Sequence, residues 1–77
     1  MSIDILFFAS LKERMGKAGD QIEAGTASTV REVWARINPD EAMPVNTLCS
    51  VNMEYVDPDH AVEDGDEVAF FPPVTGG

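Results

Sequence analysis

The apolar and polar positions change period along the chain, and each change marks an element. Residues 2–9, Ser-Ile-Asp-Ile-Leu-Phe-Phe-Ala, alternate in part and are rich in β-branched and aromatic side chains, which predicts a strand. Ile3, Ile5 and Phe7 share one face of it; Asp4, Leu6 and Phe8 share the other. That second face carries two large apolar residues, so a second layer or a partner is expected to cover it. Leu11 and Met15, four apart and followed by Gly16, suit a short helical turn in the link to the next strand. Residues 20–24 have a single apolar anchor, Ile22, and stop at Gly25, the pattern of a short strand at a sheet edge. The period then lengthens. Val30, Val33, Trp34 and Ile37 fall at i, i+3, i+4 and i+7, one apolar stripe on a helix over 29–37. Thr29 and Glu32 match a capping box, with the hydroxyl accepting from the N–H of residue 32 and the carboxylate reaching back to that of residue 29. Asn38, which precedes Pro39, is disfavoured from helical φ/ψ and ends the helix. On that stripe Trp34 reads as core.

The second half is built from shorter runs. Residues 39–44 read as loop. Leu48–Val51 and Met53–Val56 are two apolar clusters either side of Asn52, a strand, a tight turn and a short second strand. Residues 57–66 form an acidic, turn-rich link into a last strand over 66–71, where Val68 and Phe70 share one face and Ala69 and Phe71 the other. A single helix between two β segments must lay its stripe on one face of a sheet, which predicts a two-layer α+β domain. If the first and last strands are neighbours they run parallel, with the helix in the crossover between them. That is the ubiquitin-like β-grasp: a mixed sheet with one main helix on one face. Ile3, Ile5, Phe7, Val68 and Phe70 would meet the helix. Phe8 and Phe71, with Tyr55 beside them, would form an aromatic patch on the uncovered side. The expected boundaries are a domain over 1–71 and an extended tail over 72–77.

Composition narrows the function classes. Seventy-seven residues make one small domain that buries roughly 60–65% of its unfolded-chain surface. A pocket of about 300 Å³ inside so small a core is not expected, so the chain reads as one that offers a surface or a tail to a larger protein. All five basic residues lie in the first 36 positions, where five acids balance them, so the net charge of −9 sits in residues 37–77. Such a half repels phosphates and argues against nucleic acid. It either keeps the protein soluble or steers it toward a basic surface. With one cysteine, Cys49, an intramolecular disulfide framework is excluded, and with one histidine and no CxxC spacing the thiol reads as a packed side chain rather than a nucleophile or ligand. Residue 61 of the acidic link is alanine where an EF-hand would place a ligand, and flanking helices are missing, so no metal is expected. No secretory signal or long apolar span stands in the sequence, which points to the cytoplasm and away from the membrane.

The tail holds the candidate chemistry. Pro72 and Pro73 lack an N–H and fix φ, so they stop strand pairing and hold an extended exit. Val74 and Thr75 continue it. Gly76 and Gly77 have no Cβ, so the backbone can thread a narrow channel and present its carboxylate from most directions.

The opening Ile5-Leu6-Phe7-Phe8-Ala9, the helix start Thr29-Val30 and, above all, Asp64-Gly65-Asp66-Glu67-Val68-Ala69-Phe70-Phe71-Pro72-Pro73-Val74-Thr75-Gly76-Gly77 resemble the molybdopterin synthase small-subunit family, the MoaD-type sulfur carriers. The resemblance follows the element order over the whole length, and its specific part is the closing fourteen residues. It implies that Gly77 is adenylated by an E1-like activating enzyme using ATP and magnesium, that a persulfide sulfur donor replaces AMP, and that the resulting thiocarboxylate passes sulfur to cyclic pyranopterin monophosphate in the large subunit. No cofactor is then bound by this chain itself. The resemblance also implies a heterotetramer with the large subunit, docking through Phe8, Tyr55 and Phe71, and a passage role for Pro72, Pro73, Val74, Thr75 and Gly76. A thiamine-thiazole sulfur carrier, which the Phe-Phe-Pro-Pro-Val-Thr approach to Gly-Gly argues against, a lysine-linked protein modifier and a binding domain with an inert tail are the other readings.

Overall fold

The computed structural model describes residues 1–73. The elements are β1 (Ser2–Phe7), α1 (Ala9–Met15), β2 (Gly19–Glu23), α2 (Val30–Ile37), β3 (Leu48–Val51), β4 (Glu54–Val56) and β5 (Glu67–Phe71). They build one five-stranded sheet in the order β2-β1-β5-β3-β4. β1 and β5 run parallel at its centre, with Ile5 opposite Val68 and Phe7 opposite Phe70, and the remaining pairings are antiparallel. This is the α+β, β-grasp arrangement expected from the element order.

The inner face of the sheet packs on α2. Ile3, Ile5, Phe7, Val68 and Phe70 are buried with Val30, Val33 and Trp34 of the helix. The Trp34 ring meets Phe70 edge to face at 5.1 Å and Phe7 at 6.5 Å, geometries that suit the ring quadrupoles. Its indole N–H donates to the Glu41 carbonyl at 3.0 Å, so the one polar atom of the largest core side chain is satisfied.

The start of α2 departs from the expected cap in one detail. The Thr29 hydroxyl accepts from the Glu32 N–H at 3.2 Å, as the capping box requires. The Glu32 carboxylate, however, accepts from Ser28, one residue before Thr29, at 2.9 Å. The acidic link also folds back across the helix start. The Val30 and Arg31 N–H groups donate to the carbonyls of His60 and Pro58, and Arg31 pairs with Asp59. Long-range backbone acceptors thus satisfy helix donors that would otherwise be orphaned.

Two strand ends also shift. β1 stops at Phe7, because Phe8, still extended at φ −121° and ψ 153°, becomes the N-cap of α1. β2 begins at Gly19, where a Cβ would stand 2.7 Å from the Ile5 carbonyl oxygen; only glycine allows the edge strand to approach β1 so closely there. The turn between β3 and β4 places both Asn52 (φ 51°) and Met53 (φ 71°) in the left-handed region, as a two-residue type I′ hairpin requires. Asn52 also exchanges hydrogen bonds with β5: its Oδ1 accepts from the Glu67 N–H at 3.0 Å and its own N–H donates to the Glu67 carbonyl at 2.8 Å.

Candidate docking face and tail

Among the described residues no helix covers the outer face of the sheet. Strand register arranges its side chains in three rows. Phe8, following β1, stands beside Phe71 of β5, which is opposite Leu48 of β3. Two residues along, Leu6, Ala69, Ser50 and Tyr55 lie side by side. Beyond these come Gln21, Asp4 and Glu67. The face therefore runs from aromatic to small and apolar to acidic.

At the aromatic end the Phe8 and Phe71 rings stack at 4.6 Å with an interplanar angle of 11°, and Tyr55 leans on Phe71 at 5.8 Å. The three residues expected to form a patch are thus brought together. Tyr55 is 72% exposed and Phe8 41%, while Phe71 is half-buried between them. A shallow groove of about 320 Å³ opens beside the stack, lined by Leu6, Met53, Glu67 and Ala69 among others. It meets the volume of a small-molecule site, yet it lies on the surface rather than inside the core. Met53 and Leu48 stand exposed around it. These two, Leu6 and Glu67 were not singled out from the sequence as site residues, although the period-2 alternation of β1, β3 and β5 already places Leu6, Leu48 and Glu67 on this face. Ser50, on the same face, is buried but has no unsatisfied side-chain atom.

β5 ends at Phe71, after which Pro72 is half-buried and Pro73 exposed. The tail thus departs beside the aromatic stack. The proposed passage residues Val74, Thr75 and Gly76 and the proposed reacting residue Gly77 lie outside the described residues.

The alternative chemical centres lose support. Cys49 is 2% exposed on the inner face, its Sγ 4.0 Å from the Met43 Sδ. Burial pushes the thiol up to about 11, which removes the thiolate that a nucleophile or a metal site needs. His60 lies exposed in the acidic link and serves through its backbone carbonyl. Among the described residues no group of three or more His, Cys, Asp or Glu side chains could hold a metal ion, and no helix is long and apolar enough to cross a membrane.

Comparison with known proteins decides the family. The profile of the ThiS family matches residues 5–77. The chain belongs to the ThiS family. Within it, the molybdopterin synthase sulfur carrier subunit of Escherichia coli K12 is 40% identical over 80 residues, covering 97% of this chain and 99% of the relative. The resemblance drawn from the closing fourteen residues therefore holds over nearly the full length. Among solved structures, the ThiS-family chain superposes on SAMP1 from Haloferax volcanii with a TM-score of 0.78 at 26% identity, covering both chains completely. It also matches a chain in the complex of subunits 1 and 2 of molybdopterin-converting factor from Helicobacter pylori, with a TM-score of 0.67 and 22% identity over the whole of both chains, a likeness of fold.

Proposed function

We propose that this chain is the sulfur carrier and small subunit of a molybdopterin synthase, and that Gly77 bears the transferred sulfur. The observation that carries the reading is the exposed Phe8–Phe71–Tyr55 cluster on the outer face of a sheet whose last strand leads directly into Pro72 and Pro73. A docking surface and a tail exit share one place, so a partner bound to the cluster receives the tail. The identity to curated sulfur carrier subunits supports the same conclusion.

A carboxylate is a poor electrophile, so the chemistry begins with activation. In an adenylating partner the Gly77 carboxylate attacks the α-phosphorus of magnesium-bound ATP and pyrophosphate leaves. The terminal sulfur of a persulfide then displaces AMP from the acyl carbon. A thiol cleaves the remaining S–S bond and leaves a thiocarboxylate. The large synthase subunit supplies the catalytic side chains that pass this sulfur to cyclic pyranopterin monophosphate; each transfer returns Gly77 to a carboxylate with oxygen from water, and two transfers from two loaded chains build the two-sulfur dithiolene. The small chain contributes the reacting atom, a tail slim enough to enter two active sites and the face that docks. Aromatic side chains at the centre of such a face carry much of the binding energy.

Intact-mass measurement of the protein purified from its native host, with and without the adenylating partner, ATP and a persulfide donor, tests this. One oxygen-for-sulfur exchange at Gly77 is the expected result. Deleting Gly77 is expected to leave the circular-dichroism spectrum and melting temperature unchanged and to abolish sulfur transfer; a deletion variant that still supports synthase activity overturns the proposal. The likeness to SAMP1, a small archaeal modifier protein, keeps one second reading, attachment to lysines through Gly77. Lysine conjugates in place of the sulfur exchange would favour it.

A further inference from the structure

The acidic end of the outer face has no role in the chemistry above, yet its layout is unusual. Asp4 and Glu67 are register partners in the parallel β1–β5 pair, so both carboxylates project from the same face on adjacent strands. Like charges in that relation destabilise a sheet. Among the described residues no cation relieves them: the ion pairs are Arg14–Glu41, Lys17–Asp20 and Arg31–Asp59. Asp4 instead accepts from the neutral Gln21 amide at 2.8 Å. Glu67 is half-buried and lines the groove that continues past Ala69 to Phe71. The groove therefore has an aromatic end beside the tail exit and an anionic end away from it.

The charge distribution says what can lie there. A second copy of this chain would bring another net charge of −9 against the carboxylates. A lysine or arginine fits instead, because its apolar stem can lie along Leu6 and Ala69 while its head reaches the carboxylates. Resting on the docking reading above, we propose that the Asp4–Glu67 pair receives a basic side chain of the large subunit while the Phe8–Phe71 end receives that partner's apolar anchor. Two contacts of opposite chemistry on one groove set the orientation in which the tail is delivered. Glu67 and Phe71 are four residues apart on one strand, about 13 Å, so the partner must present its cation and its anchor at that separation.

Titration calorimetry of the full chain against the purified large subunit from the same organism tests the assignment. Glu67→Gln and Asp4→Asn are each expected to weaken binding, by about tenfold or more for Glu67→Gln, and to flatten its salt dependence. Neither is expected to lower the melting temperature, because removing one of two adjacent like charges relieves the sheet. Lost affinity with lost thermal stability in both variants would assign the pair a structural role and overturn the inference. So would unchanged affinity in both. Phe71→Asp separates the two levels: if it abolishes binding while Glu67→Gln and Asp4→Asn both bind normally, only the carboxylate assignment fails, and if it binds normally the docking reading itself fails.

Discussion

Cys49 shows how burial alone settles a question of reactivity. The sequence leaves a thiol without obvious partners; the structure adds that it is enclosed by core residues and that loss of water holds its proton up to about 11, against 9.0 for an unperturbed thiol. The sign of the resulting pH effect follows. Between those values the unfolded chain releases the proton first and binds fewer protons, so stability is complete below pH 9.0 and declines as pH rises toward 11. Denaturant titrations across this window are expected to show that decline, and a Cys49→Ala variant to lack it. Asp20 moves the other way, lowered first by its side-chain bond to Lys17 and then by the Gln21 N–H. As an exposed pair it adds little to stability. Trp34 was legible as core from its place on the helix stripe, whereas its bond to Glu41 was not, because the acceptor is a loop carbonyl with no sequence signature.

At the scale of elements, local signals set the ends correctly where the partner is local. The Thr29 hydroxyl cap, the Gly16 C-cap at φ 73° and the Asn38 stop were all readable. Where the partner is distant they were incomplete: the first N–H groups of the helix, those of Val30 and Arg31, donate to carbonyls of the acidic link, His60 and Pro58, which no local signal announces. The β3–β4 turn carries a testable strain. Asn tolerates the left-handed region, but Met53 at φ 71° does not do so readily. Its side chain is 89% exposed and so offsets little of that cost. Met53→Gly is expected to raise unfolding free energy by about 1 kcal/mol, read from chemical denaturation. A loss would mean that contacts of the Met53 side chain along the groove outweigh the backbone strain.

For the whole molecule, charge is the dominant long-range term. Three ion pairs among the described residues are exposed and contribute about 0–1 kcal/mol each, against the self-repulsion of a net −9. Salt shortens the reach of that repulsion to about 10 Å at 0.1 M. The melting temperature is therefore expected to rise as sodium chloride is added from low ionic strength, and a fall would show that the ion pairs dominate. The same salt series should weaken binding to a basic partner, so stability and affinity are expected to move in opposite directions.

The amino-acid sequence by itself determined the order of the elements and the stripe that meets the sheet, because hydrophobic period and local turn chemistry act within a few residues. It implied the parallel direction of the first and last strands only on the condition that they are neighbours, and the structure supplied that pairing. It also carried the family, since the run from Asp64 to Gly77 states both the last strand and the tail. Only the tertiary structure decided which outer-face residues become neighbours. Phe8 and Phe71 stack, and Asp4 stands beside Glu67, because β1 and β5 lie in one particular register. That register brings together residues more than sixty positions apart, and alternation within either strand cannot specify it: period 2 assigns a side chain to a face, while long-range pairing assigns its neighbour.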